Sequence, residues 1–237
     1  MRINALVTGR GGNTMPDKNV RNVDGKPLVL YPLLAALEAR NVNDVYISSD
    51  DDKILNVAEG LNVTRIKRPA ELGRADTKHI DVIRHAVLEM KRINCYPDIL
   101  VVLLANTVTV KSEWIDSCVS KILNDKAIDS VVPVYNEQDH HPFRAKTLDE
   151  DGYLKPWFDF GGEIISTNRQ ELPLNYFLGH NFWVINLSRG YLFDGSGQQP
   201  WTFLGNKIKP FLVDECFDVH CEADLARSKL WLEKNLI

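Results

Sequence analysis

The chain has 237 residues, 44% hydrophobic and 25% charged, an ordinary composition for one α/β domain with an appendage. A formal charge of −4 leaves no basic excess to neutralise a phosphate backbone, which excludes a general nucleic-acid binder. No apolar stretch reaches bilayer length and no secretory leader is legible at the start, so the scattered Cys95, Cys118, Cys216 and Cys221 read as reduced thiols of a cytoplasmic protein.

Ile3 to Val7 reads as a first strand, and "GRGGNTMPDKNV" (9–20) follows it as a loop. "PLVLYPLLAALEA" (27–39) reads as a buried helix, "DVYISSD" as a second strand ending at Asp50, and Val63 to Ile66 as a short third. In "TKHIDVIRHAVLEMKRI" the residues Ile80, Ile83, Val87 and Met90 recur at helical spacing, with Asp76 or Thr77 expected as the N-cap. "DILVVLLA" (98–105) is apolar throughout, as a strand covered on both faces must be. "SEWIDSCVSKIL" follows as a helix and "SVVPVY" as a strand. This alternation predicts a mostly parallel sheet with helices on both sides. After Tyr135 the rhythm breaks into short strand-like pieces, turn pairs and aromatics, which suit a hairpin-rich insertion. "HNFWVINL", "KIKPFLVD" and a final helix from about Glu222 restore the alternation. The expected organisation is a core of 1–135 and 185–237 with an arm at 136–184.

Ligands of open parallel sheets bind beyond the C-terminal strand ends. Polar clusters fall at such ends: Arg10 to Asn19, Ser48 to Asp50, the segment after Leu104, and Asp218 to His220. The first loop is no Walker loop, since no Gly-Lys-Ser/Thr follows a glycine at the right spacing. It is a poor dinucleotide fingerprint too, because Thr14 stands where the third glycine belongs. Gly11 and Gly12 would let backbone N–H groups approach an anion, while Arg10 and Lys18 supply cationic arms.

"RGGNTMPDKN" resembles the signature loop of the CMP-sialic acid synthetases and related cytidylyltransferases, usually R-G-G-S-K-G-x-P-x-K-N. The likeness continues collinearly through "GKPLVLYPLLAAL", "VYISSDDDKI", "KRPAEL", "SVVPV", "HHPFRAKTLDEDGYLKP", "NRQELPLNY" and "FDVHCEADL". It implies a Rossmann-like α/β sheet of the nucleotide-diphospho-sugar transferase type with an inserted dimerisation arm. It further implies a homodimer that uses CTP and an acidic sugar. Carried over by position, Arg10 and Lys18 would bind the CTP triphosphate, Asn19 the nucleotide, and Arg68 the base and ribose. Arg169 would meet the sugar acid, and Asp218 would hold Mg²⁺. The chemistry agrees, since nucleotidyl transfer develops charge on the α-phosphate and departing pyrophosphate, which cations stabilise. The expected reaction transfers CMP from CTP to a sialic-like or Kdo-like ulosonic acid. A phosphonate or other small acid as acceptor, or a non-catalytic nucleotide binder, are the alternatives.

The sequence also departs from the family pattern. The loop is a residue short and Thr14 replaces its second lysine. The usual Q-P-T-S-P-x-R appears as Ala105 to Lys111, where only Thr107 matches, which by that match would contact substrate, and the glutamine is absent. His220 replaces the second aspartate of D-x-D; imidazole is a poor ligand for Mg²⁺, so water-mediated binding, phosphate contact or a Mn²⁺ preference stay open. Asp50 is read either as orienting Arg10 or Lys18 or as capping the following helix. Trp157, Phe158 and Phe160 on the arm read as a dimer-contact stripe before a sugar platform. Against a metal cluster at Asp139–His140–His141 stands the resemblance, which places these residues at the base of the arm; Cys216, His220 and Cys221 fit no standard zinc spacing and lack a fourth ligand.

Overall fold

The protein is described here as a computed structural model covering residues 1–12 and 15–235; Thr14 lies outside the described residues. The elements run β1 (Ile3–Thr8), the hairpin β2 (Asn22–Val23) and β3 (Lys26–Pro27), α1 (Leu30–Glu38), β4 (Asp44–Ser49), α2 (Asp52–Asn56) and β5 (Val63–Lys67). They continue α3 (His79–Arg92), β6 (Ile99–Leu104), α4 (Ser112–Asn124), β7 (Ser130–Asn136), β8 (Lys146–Leu148) and β9 (Leu154–Pro156). The last are β10 (Tyr176–Leu178), β11 (Phe182–Asn186), α5 (Tyr191–Asp194), β12 (Ile208–Leu212) and α6 (Glu222–Asn235).

An eight-stranded sheet has the order β10-β7-β11-β6-β1-β4-β5, and β12 pairs in parallel with β7 off that path. The β6-β1-β4-β5 half is parallel throughout, whereas β11 runs antiparallel between β6 and β7. Side-chain alternation divides each central strand between two cores. Ala5 and Val7 of β1, with Ile99, Val101 and Leu103 of β6, pack toward α1, α2 and α4. Leu6, Leu100 and Val102 face α3 and α5 instead. Because both faces are covered, β6 carries no polar residue, the pattern visible as "ILVVLL". A third cluster joins α6 to the β2–β3 hairpin and to Val108, Phe217 and Val219.

The structure shifts some expected boundaries. α1 begins at Leu30 because Lys26 and Pro27 pair with Val23 and Asn22. Asp24 (φ 48°) and Gly25 (φ 82°) make that turn, the two positive φ values that a tight Asp-Gly hairpin demands. α3 begins at His79, not after a cap at Asp76 or Thr77. Asp76 is held by Arg74, and the Thr77 hydroxyl donates to the Glu71 carbonyl at 3.0 Å, so neither side chain is left to cap. Within 136–184, β10 rejoins the main sheet against β7, while β8 and β9 form a separate hairpin.

Candidate active site

The ends of β1 and β6, the segment after β5 and the start of α3 surround a cavity of about 210 Å³. Its lining combines the polar and cationic Arg10, Lys18, Asn19, Arg74 and Asn106 with the apolar Leu72, Val82 and Leu104 and the His79 imidazole. The first loop is anchored at both edges. Arg68 is buried, and its Nη2 donates to the carbonyls of Gly9 (2.9 Å) and Ser48 (2.7 Å), stapling the loop's start to the end of β4. The Gly11 N–H donates to Asp50 Oδ1 at 3.2 Å. A Cβ at Gly11 would stand 2.8 Å from Asp51 Cβ, so only glycine permits this approach. Asp50 therefore holds the loop backbone. Asp51 does the capping, accepting the Lys53 N–H at 2.8 Å at the start of α2.

Lys18 opens a single 3-10 turn and is only 7% exposed. Burial lowers its pKa, Asp218 pulls the other way, and Arg10 adds to the lowering. An ammonium held there is short of solvation and close to a second cation, so an incoming anion relieves both costs. Asn19 donates its Nδ2 to the Arg10 carbonyl at 2.9 Å, and its buried Oδ1 has no hydrogen-bond partner among the described residues. A buried acceptor without a donor costs free energy that a ligand N–H or O–H would recover.

Asn106 links the cavity to the segment beyond β12. Its Nδ2 donates to Asp218 Oδ2 at 2.9 Å, and His220 Nε2 lies 2.8 Å from the same oxygen. Asp218 Oδ1 carries no hydrogen bond among the described residues. Mg²⁺ is commonly held by one or two carboxylates plus substrate phosphates and water. One open carboxylate oxygen near Lys18 fits that donor set, with His220 engaged in holding Asp218. Thr107 is fully buried, its hydroxyl donating to the Phe217 carbonyl at 2.7 Å. It faces protein, not the cavity. Thr109 bonds the same carbonyl, so the two hydroxyls strap 105–111 to the 217–219 segment. Gly12 has open space where a side chain would stand. Arg169 does not line the cavity; on the arm its guanidinium pairs with Asp139.

Sequence reasoning missed His79, Arg74 and Asn106. His79 Nε2 lies 2.8 Å from the Thr8 hydroxyl, and its ring stands 5.6 Å from that of Trp183. Burial, then the charges of Arg68 and His180, push its pKa down to about 4. The imidazole is neutral at physiological pH. A lone histidine at a helix start carries no sequence signal for this, since only the fold brings Thr8 and Trp183 to it.

The cytidylyltransferase family model matches residues 5–153, and the chain belongs to that family. An N-acylneuraminate cytidylyltransferase of Streptococcus agalactiae serotype V is 24% identical over 212 residues, covering 88% of this chain and 49% of its own length. The chain thus spans about half the length of this relative. A CMP-N,N'-diacetyllegionaminic acid synthase of Legionella pneumophila is 26% identical, with 99% of this chain and 98% of that protein covered. Among solved structures, a CMP:2-keto-3-deoxy-manno-octonic acid synthetase complexed with CTP superposes with a TM-score of 0.68 at 15% identity, over 99% of both chains. That likeness shows the fold.

Proposed function

We propose that this member of the cytidylyltransferase family transfers CMP from CTP to an anionic ulosonic acid, sialic-like or Kdo-like, releasing pyrophosphate. The observation that carries the reading is the cavity at the ends of the parallel strands, whose lining combines cations with apolar side chains. A nucleobase suits Leu72, Val82, Leu104 and neutral His79, and phosphates suit Arg10 and Lys18. The relatives named for N-acylneuraminate and for CMP-N,N'-diacetyllegionaminic acid support an acidic sugar as acceptor.

In the transfer, the sugar hydroxyl attacks the α-phosphorus in line as the bond to pyrophosphate breaks. Arg10 and Lys18 neutralise the phosphates that leave, and little covalent chemistry falls to the protein. Asn19 offers its unpartnered carbonyl to the nucleotide. Arg68, with donors spent on Gly9 and Ser48, acts on the nucleotide by keeping the loop in place. Asp218 would hold Mg²⁺, which supplies Lewis-acid charge neutralisation at the phosphates.

The same reading includes a homodimer working in the cytoplasm. The arm exposes Leu148, Tyr153, Leu154, Trp157 and Leu174, and Ile164 is 98% exposed. So much apolar surface on one segment favours a partner subunit. Among the described residues no helix is long and apolar enough to cross a membrane.

A pyrophosphate-release assay tests the proposal. CTP with a panel of ulosonic acids should release pyrophosphate, and UTP, ATP or GTP should not. Binding of CTP without release from any acceptor, phosphonates included, would leave a nucleotide-binding protein without turnover.

A further inference from the structure

A second and larger cavity, of about 430 Å³, opens between α1, the first turn of α4 and the end of α6. Its floor is apolar, built from Leu34, Ala35, Val108, Val110 and Leu232. Its rim carries cations on aromatic faces. The Lys111 ammonium stands 5.3 Å from the Trp114 ring and 5.6 Å from the Trp231 ring, and Lys26 stands 5.8 Å from Tyr31. Neither ammonium makes an ion pair among the described residues. Lys111 is also the N-cap position of α4 and makes no side-chain cap, so the positive end of that helix meets the same rim.

Two carboxylates share the cavity but lie apart from this end or are engaged. Glu113 accepts the Ser112 hydroxyl at 3.4 Å. Glu38 is two turns beyond Tyr31, about 10 Å along the helix, where α1 gives way to the backbone N–H groups of Arg40 and Asn41 bonded to Asp116. The cavity thus sets two ammonium groups and three aromatic rings beside an apolar floor, with Glu38 and Glu113 also on its lining.

We propose that this cavity is a second ligand site, separate from the nucleotide cavity, which takes a small anion with an aromatic body. The Lys111 and Lys26 ammonium groups hold the carboxylate or phosphate, and the aromatic body lies against Trp114, Trp231 and Tyr31. Val108 and Val110 of its floor belong to the strap whose Asn106 bonds Asp218 and whose Thr107 bonds Phe217. An occupant rests on the back of the segment that positions Asp218, so the site is placed to modulate the reaction.

The chain has five tryptophans, and their indole N–H resonances, assigned by single Trp→Phe substitutions in ¹⁵N-labelled protein, report the site directly. Phenyl phosphate and 3-phenylpropionate are titrated separately, with benzyl alcohol as the uncharged counterpart. At least one anion should shift Trp114 and Trp231 while leaving Trp157 in place; whichever binds more tightly identifies the headgroup. Lys111→Gln should weaken binding about tenfold or more, and Lys111→Arg should keep it within about threefold. The proposal is overturned if neither anion moves those two resonances, if benzyl alcohol moves them equally, or if Lys111→Gln binds as wild type.

Discussion

Lys18 and Arg10 reach one cavity from opposite ends of the same loop, and burial already lowers the Lys18 pKa. A group kept in that condition gains most from a highly charged ligand. Replacing either residue by alanine should weaken CTP far more than CMP, by about 1.5–3 kcal/mol for each charge-assisted bond lost. Isothermal titration with both nucleotides checks this; equal losses would place the two side chains away from the β- and γ-phosphates. At Asp218 the two donors from Asn106 and His220 share one oxygen. Asp218→Asn should therefore abolish divalent-ion dependence, while His220→Ala should leave the Mg²⁺/Mn²⁺ activity ratio unchanged. A ratio that moves in His220→Ala would make the imidazole a direct ligand. His79 gives a pH signature. Its pKa is about 4 in the fold against about 6.5 in an unfolded chain, so the unfolded state takes the proton first. Stability is intact above about pH 6.5 and falls as pH drops toward 4, by up to about 3 kcal/mol, with no further loss from this group below that. Urea titrations at pH 7 and pH 4.5 should show a smaller difference in His79→Gln than in wild type.

Elements were legible where one physical signal dominated. The "ILVVLL" of β6 could only be a strand covered on both faces, and Ile83, Val87 and Met90 of α3 are buried as their spacing requires. The start of α3 was not legible, because Asp76 and Thr77 look like caps and only the local turn shows them engaged by Arg74 and the Glu71 carbonyl. The same holds for the segment 105–111. From sequence its Thr107 was matched to a substrate contact, since nothing in the linear chain reveals the Phe217 carbonyl that takes its hydroxyl. Arg10 and Lys18 were placed by the loop's resemblance and both line the cavity, whereas the Gly11 N–H expected at an anion is given to Asp50 and neither Gly11 nor Gly12 lines the cavity. Asn106 was not legible, because its partner Asp218 is distant in the chain. The strap makes a testable claim about element stability. Thr107→Val keeps the shape and removes a buried donor, so it should cost about 1–2 kcal/mol in urea unfolding. Unchanged stability with a large loss of CTP affinity would instead make the hydroxyl a ligand contact.

For the whole molecule the question is where the arm belongs. Among the described residues its hairpin β8–β9 is paired only with itself, and Leu148, Tyr153, Leu154 and Trp157 around it are exposed. Phe143, Phe158 and Phe160 pack on one another, and Phe143 meets His141. The arm thus keeps a small aromatic core of its own while presenting an apolar outer surface. Arg169 sits on it, paired with Asp139 and outside the nucleotide cavity. Both side chains of that pair are about half exposed, so the pair is weak and easily exchanged for a sugar carboxylate. In a twofold dimer each arm would pass to the neighbour's site, and Arg169 would clamp the acid beside the partner's Lys18. Complementation decides this. An inactive Arg169→Ala chain and an inactive Lys18→Ala chain are unfolded and refolded together so that subunits exchange. Random pairing makes about half the dimers mixed, and geometry in trans leaves each of those with one intact site, so about a quarter of wild-type activity should return. If mixed dimers form and remain inactive, Arg169 serves its own subunit or no site, and the arm's apolar surface is explained by dimerisation alone.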